Sequence, residues 1–223
     1  MQDAGIISDV IMGYQGNMAD NHATYLRLKG YIERASVRSG ATFKKYFRAA
    51  IKEGFDIDYV PPRESYSPYV SEYMSLLNTS LKMQNKIIAR LFLDAGADVN
   101  VMSQNGRNAL IVAAYYMGYD EIIREIAEQT DNINHVDKYG RTAIGILCQN
   151  FCCTRTQAQG FLGSIKHLLA LGADPDLDTC WHIDEEEPDI YAGQKALQRY
   201  LAAYNEQQEQ LNGSQSSDYE YEI

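Results

Sequence analysis

The chain has 223 residues, of which 45% are hydrophobic and 11% aromatic, so it can bury one or two cores and is not a disordered polymer. Its formal net charge of −10 repels phosphate and speaks against a general nucleic-acid binder. Charge breaks every apolar run short of membrane-spanning length, and Met1–Asp20 is acidic early where an export signal is basic and then apolar; we expect a soluble, cytoplasmic chain.

The first predicted helices are basic. Eight lysines and arginines lie between Arg27 and Lys52 against Glu33 alone, and Lys44, Lys45, Arg48 and Lys52 share much of one helical face. Solvated surface is the simplest reading of that face, with nucleic-acid binding as a remote alternative. Next comes a proline-containing stretch in which "SPYV", from Ser67, places Pro68 at a first helical turn. A helix then runs into "LFLDAGADVN", Leu91 to Asn100. In "SQNGRNALIVAAYYMG", from Ser103, and "DKYGRTAIGILCQN", from Asp137, a glycine turn precedes a polar residue and an apolar helix, with Asn108 and Thr142 as N-caps. "LLALGADPD", Leu168 to Asp176, repeats the earlier helix end. The segment Asp174 to Asp189 holds eight acids and no lysine or arginine, a field that would steer a partner with a basic surface. A helical stripe of Ile190, Ala196, Leu197, Tyr200, Leu201 and Tyr204 follows, then a polar acidic tail from Asn212 expected to be disordered.

Aligned on the glycine of "GADVN", four frames begin at Gly54, Gly96, Thr130 and Gly172, at intervals of 42, 34 and 42 residues. Two positions on stand Asp56, Asp98, Asn132 and Asp174; two further on stand Asp58, Asn100, Asn134 and Asp176. Four positions before each start are Ala50, Phe92, Ile126 and Leu168; three before are Ile51, Leu93, Ala127 and Leu169; seven before are Phe47, Ala89, Ile123 and Ile165. Those spacings make one apolar face of a helix. Glycine then suits the left-handed residue that ends a helix, and the Asp/Asn pair suits the turn that follows.

On these motifs the chain resembles ankyrin repeat proteins, most specifically over Lys82 to Asp176. The resemblance implies an all-α solenoid of stacked antiparallel helix pairs in a single domain spanning 1–211. Its parts would be an N-terminal cap at 1–58, repeats at 59–100, 101–134 and 135–176, and a C-terminal cap at 177–211. The family's Thr-Pro-Leu-His becomes Asn108-Ala109-Leu110-Ile111 and Thr142-Ala143-Ile144-Gly145, so its histidine network is expected to be missing. The two 42-residue intervals imply inserted loops, one around "VPPRESYSPY" or "LLNTSLKMQ" and one at "NFCCTRTQAQG", on a face where partners dock.

Function follows as binding rather than catalysis. None of the four histidines has a nucleophile at motif spacing, and no phosphate-binding loop is present, so we expect no enzyme and no cofactor. The acidic run lacks the residue order of a calcium loop. Cys148, Cys152, Cys153 and Cys180 read as reduced thiols; zinc held by Cys148, Cys152, His167, Cys180 and His182 would lack structural-site spacing, and no metal is expected. Seventeen tyrosines supply large surface contacts with a polar end. By the resemblance, a protein partner would meet the hairpin tips and concave face at Gln104, Asn105, Arg107, Tyr115, Tyr116, Lys138, Tyr139, Arg141, Gln149 and Asn150, with helix packing an equal alternative for one of Tyr115 and Tyr116. Within this class, a scaffold and an inhibitor, immunity or secreted effector protein blocking one target remain open. An effector would act inside a host cell. Oligomeric state is not legible.

Overall fold

Helix follows helix wherever the apolar residues recur at three and four positions. In the computed structural model, the described residues are 21–34, 40–62, 72–118, 121–153, 158–177, 197, 199–204 and 206–207. Among them every regular element is helical, so the fold class is all-α: α1 (Asn21–Arg34), α2 (Gly40–Lys52), α3 (Leu76–Lys82), α4 (Lys86–Asp94), α5 (Ala109–Met117), α6 (Ile122–Glu128), α7 (Ala143–Cys153), α8 (Ala158–Ala170) and a 3-10 turn at Pro175–Leu177. They form two compact units, one ending at Gln104 and the other starting at Asn105.

In the first unit α1 packs on α3, and α2 on α4. Phe43 and Phe47 of α2 meet Phe92 of α4 edge-on, with ring centroids 5.9 and 4.7 Å apart, and this aromatic knot joins the outer layer. The inner layer is tied by Tyr25, whose buried hydroxyl donates to the Met74 carbonyl at 2.7 Å; burial pushes its pKa well up. Helix α3 is buried along most of its length, started by Ser75 Oγ accepting from Asn78 N–H, and Asn85 starts α4 in the same way through Ile88 N–H.

In the second unit α5 packs on α6 and α7, and α8 on α6 and α7. The two sequence-assigned caps are present: Asn108 Oδ1 accepts from Ile111 N–H at 3.0 Å, and Thr142 Oγ1 from Gly145 N–H at 3.1 Å. Past Met117 the chain must come close to α7 and α8, and Gly118 leaves the room: a Cβ there would collide with Leu147 and Phe161. Beyond residue 177, Leu197 and Leu201 are buried on helical residues, as the stripe predicts; Ile190 and Ala196 lie outside the described residues.

Three of the four frame ends close by one device. Gly54, Gly96 and Gly172 have φ of +89°, +82° and +88°. Each donates its N–H to the carbonyl three residues back, while the next residue's N–H reaches five back, to Ala50, Phe92 and Leu168 at 3.0, 3.0 and 2.9 Å. At the third frame the corresponding carbonyl, Ile126, accepts from the Thr130 hydroxyl at 2.8 Å, so a side-chain donor serves where the glycine is missing. Then comes a side-chain turn: Asp56, Asp98, Asn132 and Asp174 accept from the N–H two residues on at 3.0, 2.8, 3.0 and 2.9 Å. Within each unit one frame also holds the next. Asp58 Oδ1 accepts from Asp98 N–H at 2.9 Å, and Asn134 Oδ1 from Asp174 N–H at 2.7 Å.

Three expectations change. Ile51, assigned to the apolar column, is 39% exposed, because it falls on the same outward face of α2 as Lys44 and Arg48. "LLNTSLKMQ" is not an insertion but the buried helix α3; "SPYV" and most of "VPPRESYSPY" lie outside the described residues. The second insertion is not mainly a loop: α7 and α8 have 11 and 13 residues where α5 and α6 have 9 and 7, so the added length continues the helices.

Asp58 carries a pH signature. Burial, helped by the charges of Asp98 and Asp56 and opposed by the Asp98 N–H, raises its pKa above the ordinary carboxylate value. The native state therefore holds this proton more tightly than the unfolded chain, and stability is lost as pH rises through the raised value. Asp58→Asn keeps the acceptor and removes the charge. It should raise stability at pH 7 by up to about 1 kcal/mol, the scale of partly exposed charge interactions, with the gain fading on acidification through the carboxylate range. Thermal denaturation across pH tests this; a gain that grows towards acid would contradict it.

Candidate functional site

The second unit presents two turn tips, Asn105–Arg107 before α5 and Asp137–Arg141 before α7. They are joined by backbone and side chain alike. Lys138 N–H donates to the Asn105 carbonyl at 3.0 Å, and the His135 ring Nε2 to the Gly106 carbonyl at 2.7 Å. Gly106 and Gly140, with φ of +71° and +77°, turn the two tips.

Asp137 organises the second tip. Its Oδ1 accepts from the N–H groups of Tyr139 and Arg141 at 2.8 and 3.1 Å, and its Oδ2 pairs with Arg107 Nε at 3.0 Å; the carboxylate is fully buried. A buried charge survives only when its oxygens are satisfied, and these three donors do that. The carboxylate holds Arg107 in place, and the guanidinium carbon lies 4.6 Å from the Tyr115 ring centroid and 5.3 Å from that of Tyr139. Arg141 closes the cluster by donating from Nη1 to the Tyr115 hydroxyl at 2.6 Å.

Of the ten residues assigned from sequence, five fall in this cluster: Asn105 and Arg107 on one tip, Tyr115 on α5, and Tyr139 and Arg141 on the other tip. Lys138 is exposed beside them, and Tyr139 is 59% exposed. Tyr115 and Tyr116 are half-buried, with ring centroids 6.0 Å apart, and Tyr115 is occupied by both arginines. Asn150 donates to the Ala114 carbonyl at 3.1 Å and so ties α7 to α5; Gln149 is half-buried next to it. Gln104 ends the first unit, donating its N–H to the Tyr73 carbonyl.

Two residues were missed from sequence. Asp137 was read only as the start of a turn, although an aspartate three residues before a glycine signals a carboxylate collecting turn N–H groups. His135, considered from sequence only as a histidine without a nucleophile at motif spacing, ties the two tips through the Gly106 carbonyl. No group of three metal-ligating side chains occurs among the described residues; Cys148 is a buried thiol, His167 lies 3.4 Å from Glu128, and Cys180 and His182 are outside the described residues. No described helix is long and apolar enough to cross a membrane.

Helix pairs whose ends share an Asx turn make a repeat-built helical array. Residues 76–179 match the family model of ankyrin repeats, in three copies, and this segment is an ankyrin-repeat array. Over 50 residues the chain is 40% identical to a protein described as an ankyrin repeat protein from Rickettsia bellii (strain RML369-C); the match spans 22% of this chain and 7% of that relative.

Removing the organising carboxylate should loosen both tips. Asp137→Ala is expected to cost about 3 kcal/mol in urea unfolding, the lower end for breaking a buried pair, because Arg107 keeps some solvent contact. Asp137→Asn, which keeps an acceptor, should cost roughly half of that. Equal and negligible losses in both variants would show that the tips do not depend on Asp137.

Proposed function

We propose that the chain is a non-enzymatic protein-recognition module whose contact surface is the joined tips and the adjoining face of α5 and α7. The observation that carries this reading is the state of Tyr139: an exposed ring held against an arginine that a buried carboxylate already fixes. An aromatic anchor set in place before binding loses little side-chain freedom on association, which is how a small number of residues comes to dominate an interface. Exposed Lys138 beside it on the same tip offers a polar contact suited to a rim.

The described residues support binding over chemistry, since the polar groups of this cluster are spent on one another rather than converging on a space where a substrate would react.

A photo-reactive phenylalanine analogue placed at 139 should trap one protein from native lysate that the same analogue at exposed Gln129 does not. Tyr139→Ala should then weaken that complex by more than about 2 kcal/mol, as expected of a hot spot, and leave helical content unchanged. Trapping at both positions alike, or undiminished affinity in the variant, would place the contact surface elsewhere.

A further inference from the structure

The basic face of α2 lies in the first unit. Lys44, Lys45, Arg48 and Lys52 are all exposed, while Phe43, Phe47 and Ala50 on the opposite side are buried. The ion pairs among the described residues join Lys29 to Glu33, Arg107 to Asp137 and His167 to Glu128, and none takes in these four. Like charges on successive helical turns repel one another, so an unrelieved row of this kind is more readily kept where something complements it.

We infer that the exposed face of α2 docks a short acidic peptide segment of a partner protein, its carboxylates spaced one helical turn apart. The spacing and the charge both favour that occupant. Lys44, Arg48 and Lys52 follow at one-turn intervals, about 6 Å each, and alternate residues of an extended chain lie about 6.6 Å apart on one side. An extended segment with an acid at every second position therefore keeps step with three cations, with Lys45 flanking the row. The row is about 12 Å long, little more than a screening length of about 8 Å at physiological ionic strength. A short ligand confined to it meets mainly these cations. A nucleic-acid duplex or an anionic bilayer extends far beyond it and meets a chain of net charge −10. The other exposed residues of the helix, Ala41, Thr42, Ala49 and Ile51, offer no amide or second guanidinium to read base edges. The apolar side needed for lying in a membrane interface is already packed on Phe92.

The test uses the full chain and a fluorescein-labelled octapeptide alternating glutamate and serine, with fluorescence anisotropy at about 20 mM salt. Wild type should bind it at least tenfold tighter than the variant Lys44→Gln/Arg48→Gln/Lys52→Gln, whose exposed substitutions should leave circular dichroism unchanged. The charge-preserving variant Lys44→Arg/Lys52→Arg should bind like wild type, and affinity should fall as salt rises. Equal binding by the glutamine variant, no binding by wild type, or a wild-type preference for a 12-base-pair duplex or phosphatidylserine vesicles over the peptide would each overturn the inference.

Discussion

Each frame ends in a turn whose main-chain N–H groups have no helical partner, and short Asp and Asn side chains provide one. That constraint shapes the rest of the molecule. Pairing the last carbonyls and the next turn's donors inside the fold contributes about 0.5–1.5 kcal/mol per bond on these solvent-exposed turns, and it fixes where each turn lies. Here the carbonyls are taken by the residues after Gly54, Gly96 and Gly172 or by the Thr130 hydroxyl, and the donors by the two Asx columns. The bonds from Asp58 to Asp98 and from Asn134 to Asp174 both lie within 42-residue intervals. Eight added residues leave the meeting point of the frames unchanged, because in the second unit they extend α7 and α8 instead of displacing the turn.

In the second unit the tips lie where the chain enters α5 and α7, at the same end of the helix pairs as the frame ends. Asn105–Arg107 and Asp137–Arg141 therefore meet closely enough for one carboxylate to serve both. The exposed tyrosine at the second tip lies against Arg107, and the backbone of the exposed lysine beside it is bonded to Asn105. The segment that carries both tips is the one that matches ankyrin repeats.

The frame ends were legible because their chemistry is local. Glycine with positive φ, an Asx turn and an N-cap each need only residues a few positions apart, and Asn108 and Thr142 do in the structure what their positions imply. Tertiary partnerships were not legible. Nothing near Asp137 in the sequence points to Arg107, thirty residues away, and nothing near His135 points to the Gly106 carbonyl. Ile51 fits the apolar period, yet it sits where the column meets a cationic face, and periodicity cannot say which side of that edge is covered. The insertion was expected as a loop because added residues usually are; helix continuation depends on how α7 and α8 pack, which a spacing count does not contain.

The most direct measurement of this account is amide hydrogen exchange at Asp174, followed by NMR in wild type, Asn134→Ala and Asn134→Asp. If the Asx side chain of one frame holds the turn of the next, the Asp174 N–H exchanges slowly in wild type and in the aspartate variant. In the alanine variant it should exchange at least about tenfold faster, corresponding to roughly 1.4 kcal/mol of lost protection. An Asp174 rate unchanged by Asn134→Ala would contradict the account, since the frames would then be held together without the bond on which their register is argued to depend.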